Sequence, residues 1–138
     1  MKSERSEVTL SRGSEGLVTS PSVHDARIVV IDVEDRHTAR IGLIDERGSR
    51  FNLYLEGLRK LRADGFAEGN VVLEIEVSPF READSVQLPA LYFSDGNDPS
   101  EFKEETSRAL REGWRLVRVD ESYGCSLVAL CERVTFSE

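Results

Sequence analysis

Val71-Val72-Leu73-Glu74-Ile75-Glu76-Val77-Ser78 alternates residue by residue, with Val71, Leu73, Ile75 and Val77 on one side and Glu74 and Glu76 on the other. Successive side chains of a strand point to opposite faces, so this run predicts a half-buried strand with an apolar inner face and an acidic outer one. Pro79 ends it, because proline has no amide to continue a ladder. A continuous apolar run would instead belong to a parallel sheet covered on both sides; alternation belongs to an antiparallel sheet that meets water on one face.

The same period holds upstream. Arg27 to Glu34 places Val29, Ile31 and Val33 on one face and Ile28, Val30, Asp32 and Glu34 on the other. Thr38 to Asp45 sends Ala39, Ile41 and Leu43 inward, and Phe51 to Glu56 does the same with Phe51, Leu53 and Leu55. Asp35-Arg36-His37 and Glu46-Arg47-Gly48-Ser49 read as hairpin turns, the second with the glycine that a positive φ favours. Leu58 and Leu61 read as an irregular crossing segment before the turn residues Asp64-Gly65 and Glu68-Gly69-Asn70.

Downstream, Leu88 to Phe93 reads as a short strand interrupted by Pro89, followed by a loop from Ser94 to Asp98. One helix is marked: Asp98 as N-cap, Pro99 in the first turn, Glu101 at the capping-box position, and Gly113 as the stop. Its apolar stripe is Phe102, Thr106, Ala109 and Leu110. A last hairpin runs from Trp114 to Val119, turns through Asp120 to Gly124, and returns from Cys125 to Phe136. Cys125, Leu127, Ala129 and Cys131 share one face of that return strand, and Ser126, Val128, Leu130 and Glu132 the other. Both faces are largely apolar, which predicts a central strand covered on both sides.

The expected architecture is therefore a single α+β domain, mainly β: an antiparallel sheet, meander plus C-terminal hairpin, with one helix packed on it over about Asp98 to Glu112. Residues 1–22, rich in serine and in charges of both signs, read as a flexible tail with room for a short edge strand near Leu17, and residues 23–138 as the globular domain. A chain of 138 residues buries roughly two-thirds of its unfolded surface, enough for one core without disulfides. The two cysteines, Cys125 and Cys131, form no Cys-x-x-Cys pair, which fits reduced thiols in a cytoplasmic protein. No apolar run approaches the ~20 residues of a membrane span, and the residues after Met1 lack the apolar core of a signal peptide.

Charge narrows the function classes. With 26 acidic against 18 basic residues the formal charge is −8, which argues against nucleic-acid binding and for a basic protein partner. Asp32, Glu34, Glu56, Glu74 and Glu76 all take outward positions, with Tyr54 and Asn52 among them. If their strands are neighbours they make one acidic face, suited to capturing Lys and Arg. An open face keeps carboxylates solvated and ionised, whereas acid–base catalysis needs one of them perturbed in a cleft. The contact residues expected on this ground are Asp32, Glu34, Tyr54, Glu56, Glu74 and Glu76, with no cofactor and no catalytic set.

Other constellations are thinner. His24-Asp25 is the dipeptide of HD-type metal phosphohydrolases, but His37 is the only other histidine, too few ligands for that site. Asp95-Gly96-Asn97-Asp98 offers oxygens for calcium, yet Thr106 stands where an EF-hand has its bidentate glutamate. Cys125 paired with His24 or His37 is a conceivable nucleophile and base, although a thiol alternating with Leu127 and Ala129 reads as a small core residue.

The succession His24-Asp25-Ala26, the hairpin after it, Leu53-Tyr54-Leu55-Glu56-Gly57 and Glu68-Gly69-Asn70-Val71-Val72-Leu73 resembles small bacterial domains grouped with the immunity proteins of polymorphic-toxin systems. The resemblance spans roughly residues 23–78. It implies a cytoplasmic inhibitor that binds one toxin and has no active site of its own. Two alternatives stand beside it: a small hydrolase or ligand-binding domain with a pocket near His24, Asp25 and Cys125, and a structural subunit that associates through an exposed strand.

Overall fold

The hairpins of the middle form where alternation and turn residues place them. In a computed structural model describing residues 5–10, 16–35, 37–67, 69–92 and 102–138, β4 (Arg27–Asp35), β5 (Thr38–Ile44) and β6 (Arg50–Glu56) make an antiparallel meander. At its second turn the Asp45 carboxylate accepts from the Arg47 and Ser49 amides, and Gly48 takes φ 85°. Ala39, Ile41, Leu43, Phe51, Leu53 and Leu55 all point into the core, as their period predicts.

The remaining strands are β1 (Ser6–Glu7), β2 (Thr9–Leu10), β3 (Val18–Ser20), β7 (Lys60–Asp64), β8 (Asn70–Pro79), β9 (Arg115–Tyr123), β10 (Ser126–Cys131) and β11 (Arg133–Ser137). Nine strands form one antiparallel sheet in the order β1-β11-β6-β5-β4-β8-β9-β10-β7, and β2 pairs with β3 beside it. The fold class is thus the expected small α+β domain dominated by antiparallel sheet.

The two ends of this order meet. β6 pairs with β11 at one end of the order and β7 with β10 at the other, yet β6 runs into β7 and β10 into β11. The Glu132 amide donates to Glu56 O at 2.9 Å and the Arg59 amide to Leu130 O at 2.7 Å, so the two pairs are halves of one kinked ribbon. The sheet therefore closes on itself through β4, β5, β6–β7, β10–β11, β9 and β8, a barrel whose interior is the main core. Gly57 sits at the kink with φ 66°, and a Cβ there would stand 2.4 Å from the Glu132 side chain.

Four sequence readings are corrected. The crossing segment at Leu58–Leu61 is not irregular throughout, because its end begins β7, paired along β10. The final strand is two strands broken at Glu132, where the ribbon bends. The described part of Leu88–Phe93 is helical rather than extended: a 3₁₀ helix over Glu82–Gln87 runs into α1 (Leu88–Leu91), and Pro89 falls in that first turn, where its missing amide costs nothing. β9 continues through Asp120 to Tyr123, which leaves the chain reversal to Gly124 at φ 89°.

Bulges also shift the alternation. In β8 the register slips on either side of Val72, which turns inward while Leu73 is 45 % exposed, opposite to their strict period-two places. The cause lies in the preceding turn: the Asp25 amide donates to Val72 O and the Val72 amide to Ala26 O, so Val72 is held by the β4 entry. A like slip between Ile28 and Val30 in β4 leaves Val29 outward and Ile28 buried.

The helix α2 (Lys103–Glu112) ends at Gly113 in the left-handed conformation, as expected, and lays Ala109 against the sheet, whereas Leu110 is exposed. The predicted cap at Asp98, with Pro99, Glu101 and the loop from Ser94, lies outside the described residues, as does Phe93. Phe80, Leu88, Leu91, Ala109, Trp114, Leu116 and Leu130 form a second apolar cluster between the helices and the outer side of β9 and β10. β10 is thereby covered on both faces, as its composition predicts. Within the segment 1–22, β1 pairs with β11, and Val18 packs into the barrel core.

Candidate functional site

Strand order decides which carboxylates meet. β4, β5, β6 and β11 are consecutive in the wall, so Asp32, Glu34, Tyr54 and Glu56 share its outer surface. They do not share it with one sign of charge. Arg40, opposite both Asp32 and Tyr54 in the ladders, reaches Asp32 at 3.7 Å and Glu34 at 3.6 Å and donates to the Asn52 side chain at 3.0 Å. Arg5 lies 3.8 Å from both Glu34 and Glu56, with its guanidinium 3.7 Å from the Tyr54 ring centroid. Glu56 also accepts from the Thr135 hydroxyl and lies 3.9 Å from Arg133.

Each half-exposed pair is worth only about 0–1 kcal/mol, but together the cations cancel the local negative field. The expectation of one acidic face through all five carboxylates is corrected accordingly. Asp32, Glu34 and Glu56 belong to a mixed-charge lattice, and Glu74 and Glu76 lie elsewhere.

The separation has a structural reason. β4 and β8 pair only at Arg27↔Val71 and Ile28↔Asn70, near the start of each strand. Beyond that point the free side of β8 is taken by the Gly16–Val18 segment, through the Leu17↔Glu76 bridge and the Val77 amide donating to Gly16 O. Glu76 faces Arg118 across β8–β9 and is bound to it at 2.9 Å. Glu74 faces Asp120, and neither has an ion-pair partner among the described residues. Glu121, one residue on, is exposed and has no ion-pair partner among the described residues. Asp120 and Glu121, expected in a turn, lie instead within β9, which runs to Tyr123.

His24 and Asp25 do what the turn requires. The Ala26 amide donates to Val23 O, and Asp25 takes the third position of that turn with φ 63°. His24 Nδ1–H donates to Leu73 O at 2.8 Å, and Nε2 lies 3.4 Å from the Asp25 carboxylate. The Leu73 carbonyl first, and Asp25 second, raise the imidazole pKa above 6.5. A pocket of about 230 Å³ beside it is lined by Ser22, His24, Asp45, Glu46 and Arg47.

Cys125 is not among those lining residues. It is buried, and burial pushes its thiol up, away from the thiolate that nucleophilic chemistry needs. Cys131 is pushed up to about 12 by burial. The pocket beside His24 thus has neither Asp25 nor Cys125 among its lining residues.

Asn70 explains the Cys125 position. Its side chain is fully engaged: Oδ1 accepts from the Ala67 amide at 2.6 Å and the Cys125 amide at 3.1 Å, and Nδ2 donates to Ala67 O at 2.6 Å and Ile28 O at 3.2 Å. It ties β4, β8 and the Gly124 reversal together, a role the sequence shows only as a turn asparagine.

The helix side carries another cavity, of about 400 Å³, lined by Arg59, Tyr92, Glu104, Glu105, Arg108 and Trp114. Sequence reasoning names none of these as functional. The available signal is the chain's one tryptophan, placed directly after a helix-terminating glycine.

Among the described residues, no group of three His, Cys, Asp or Glu side chains is placed to hold a metal ion, and no helix is long and apolar enough to cross a membrane. The calcium loop considered at Asp95 lies outside the described residues. Compared with protein-family models, with curated proteins and with solved structures, the chain matches none of them.

Proposed function

We propose that this chain is a noncatalytic protein-binding domain of the cytoplasm whose partner is a basic protein, and, in keeping with the immunity-protein resemblance, a bacterial toxin that it neutralises. The observation that carries this reading is Glu74 opposite Asp120 on β8–β9, with Glu121 beside them and no ion pair to any of the three among the described residues. Like charges directly opposite in a ladder repel. A Lys or Arg brought by a partner relieves that repulsion. Tyr123, 64 % exposed near the end of β9, supplies an aromatic anchor at the same end of the two strands. The net charge of −8 draws a basic partner from a distance.

Glu76, already bound to Arg118, borders this surface, whereas Asp32, Glu34, Tyr54 and Glu56, engaged with arginines and hydroxyls on the separate β4-β5-β6-β11 wall, are set apart from its centre. Their pairs exchange partners at little cost when another cation arrives.

The test is capture by the immobilised chain from lysate of the source cells at low and at raised salt, with identification by mass spectrometry. The expected result is one dominant basic protein, captured less as salt rises and less again by the Glu74→Lys/Asp120→Lys variant, which retains its thermal unfolding. Undiminished capture by that variant removes this face, and no salt-sensitive capture at all removes the reading.

A further inference from the structure

Register lines up the outer face of β8, β9, β10 and β7 in rows. Ser78, Leu116, Leu130 and Lys60 face one another across the four strands, and Leu116 and Leu130 of this row pack under the helices. Two residues nearer the Gly124 reversal comes the row Glu76, Arg118, Val128 and Arg62. Two further on, Glu74 faces Asp120 and Ser126 faces Asp64, and the Leu127↔Val119 pair sets Asp120 beside Ser126. Residues two apart on a strand share a face, so these rows lie side by side on one surface, about 7 Å apart.

The helix layer ends over the middle row. There a cavity of about 240 Å³ is lined by Gln87 and Leu91 from the helical side and by Arg62, Asp64, Ser126 and Val128 from the strands. Its apolar part is Leu91, which is buried, and Val128, which packs against the cluster under the helices. Its polar part is the Gln87 amide and the Ser126 hydroxyl, each able to donate and to accept, and the Arg62–Asp64 pair at 3.0 Å. The volume falls below the roughly 300–1,000 Å³ of small-molecule sites and suits a single inserted side chain, the way a central anchor residue fills a pocket in a protein interface.

The next row fixes the charge of whatever brings that side chain. From Ser126, Asp120 and then Glu74 follow at strand spacings of about 4.8 Å, so the two carboxylates stand roughly 5 and 10 Å from the edge of the cavity. In the middle row Arg118 is bound to Glu76 at 2.9 Å, and Arg62 is bound to Asp64. Glu74 and Asp120 keep no ion pair among the described residues. An apolar pocket therefore opens directly beside carboxylates that lack a cation.

We propose that this cavity is the anchor pocket of the protein-binding surface: the partner inserts one aliphatic side chain of leucine size beside Leu91 and Val128 and lays a Lys or Arg on Glu74 and Asp120. The inference rests on the reading of this face as the surface for a basic protein. It adds what charge alone does not supply, because an inserted side chain fixes the position of the cation next to it.

The probes are six-residue peptides of three lysines, two glycines and one leucine, with the leucine moved through all six positions, and a matching set with serine in place of leucine. Six extended residues reach about 20 Å, enough to span the cavity and both carboxylates. Each is titrated to millimolar concentration into the ¹⁵N-labelled chain at low salt. At least one leucine peptide is expected to bind about tenfold more tightly than its serine counterpart, the gain from burying one such side chain, and to shift the Ser126 and Val128 amides. Ser126→Phe and Gln87→Phe fill the cavity from its two walls. Each is expected to remove that gain and to leave the serine peptides unchanged, with thermal unfolding showing that the variant is folded. Glu74→Lys/Asp120→Lys is expected to weaken both sets. Equal affinity of the leucine and serine sets overturns the anchor pocket and leaves the acidic surface standing. A leucine gain that survives in every filling variant that folds overturns the pocket as well. If neither set binds, or both bind the Glu74→Lys/Asp120→Lys variant undiminished, the pocket falls together with the surface it belongs to.

Discussion

The barrel interior and the helix-covered layer outside it are both buried and apolar, yet they differ in how their polar groups are met. Inside and around the barrel wall, three of the four buried polar side chains, Asn70, Thr135 and Ser137, have side-chain hydrogen bonds. In the outer layer Thr106, Trp114 and Arg59 keep buried atoms without any among the described residues. A closed wall of paired strands brings its polar groups to complementary backbone positions by register alone. A helix laid on a curved outer surface has no such register, so gaps and orphaned donors collect there.

The sharpest way to break this comparison is to cut equal amounts from the two cores. Leu55→Ala in the barrel should cost about 4 kcal/mol, because surrounding strands cannot collapse into the space; Leu91→Ala under the helices should cost about 2 kcal/mol, because α1 can settle. Chemical denaturation with unchanged m-values measures both. Equal or inverted costs would mean that the outer layer is as rigid as the wall.

Asn70 and Trp114 give the polar version. Asn70→Ala strands the Ala67 and Cys125 amides and the Ile28 carbonyl, and should cost about 3 kcal/mol. Trp114→Phe keeps most of the ring and removes an N–H that has no partner among the described residues, so stability should change by less than about 1 kcal/mol. A large loss on Trp114→Phe would show that the indole N–H has a partner in solution.

Hydrogen exchange refines the same contrast. Amides of α2 should exchange through local openings at least about 1.5 kcal/mol below the global unfolding free energy, whereas those of β5 and β6 should exchange only by global unfolding.

The smallest effect is electrostatic and lies at the β4 entry. The His24 imidazole should titrate above 6.5 by NMR, and Asp25→Asn should lower its midpoint while the Leu73 carbonyl bond keeps it raised. Because the folded pKa is the higher one, this group's contribution is complete below the unfolded value and is lost as pH rises through the folded value. The direction is therefore a slight loss of stability on going from mildly acidic to neutral pH.

Much of the fold is legible before any coordinates. Ala39, Ile41 and Leu43, then Phe51, Leu53 and Leu55, keep a strict period because nothing interrupts their ladders, and the Asp45–Ser49 turn follows from its own side chain and Gly48. Val72 and Leu73 are misread because a bulge is imposed from outside the strand, by Asp25 and Ala26 forty-six and more residues earlier. Leu88–Leu91 is misread as a strand because four residues are too few to show a period.

The candidate surfaces were less legible still. Outward positions for Asp32, Glu34, Glu56, Glu74 and Glu76 follow from alternation, but their neighbours do not: Arg5, Arg40 and Arg133 neutralise one group, and Gly16–Val18 separates it from the other.

What the amino-acid sequence determined by itself is local and periodic: the meander, its turns, the Gly113 helix stop, the outward direction of the carboxylates and the net charge of −8. Each depends on residues within a few positions of one another. The tertiary structure alone decided the closure of the barrel through Gly57 and Glu132, the partnering of each carboxylate, and the meeting of Arg59, Glu105 and Trp114 around one cavity. Those depend on strand order and on distances between residues far apart in the chain, and a periodicity of two carries no information about either.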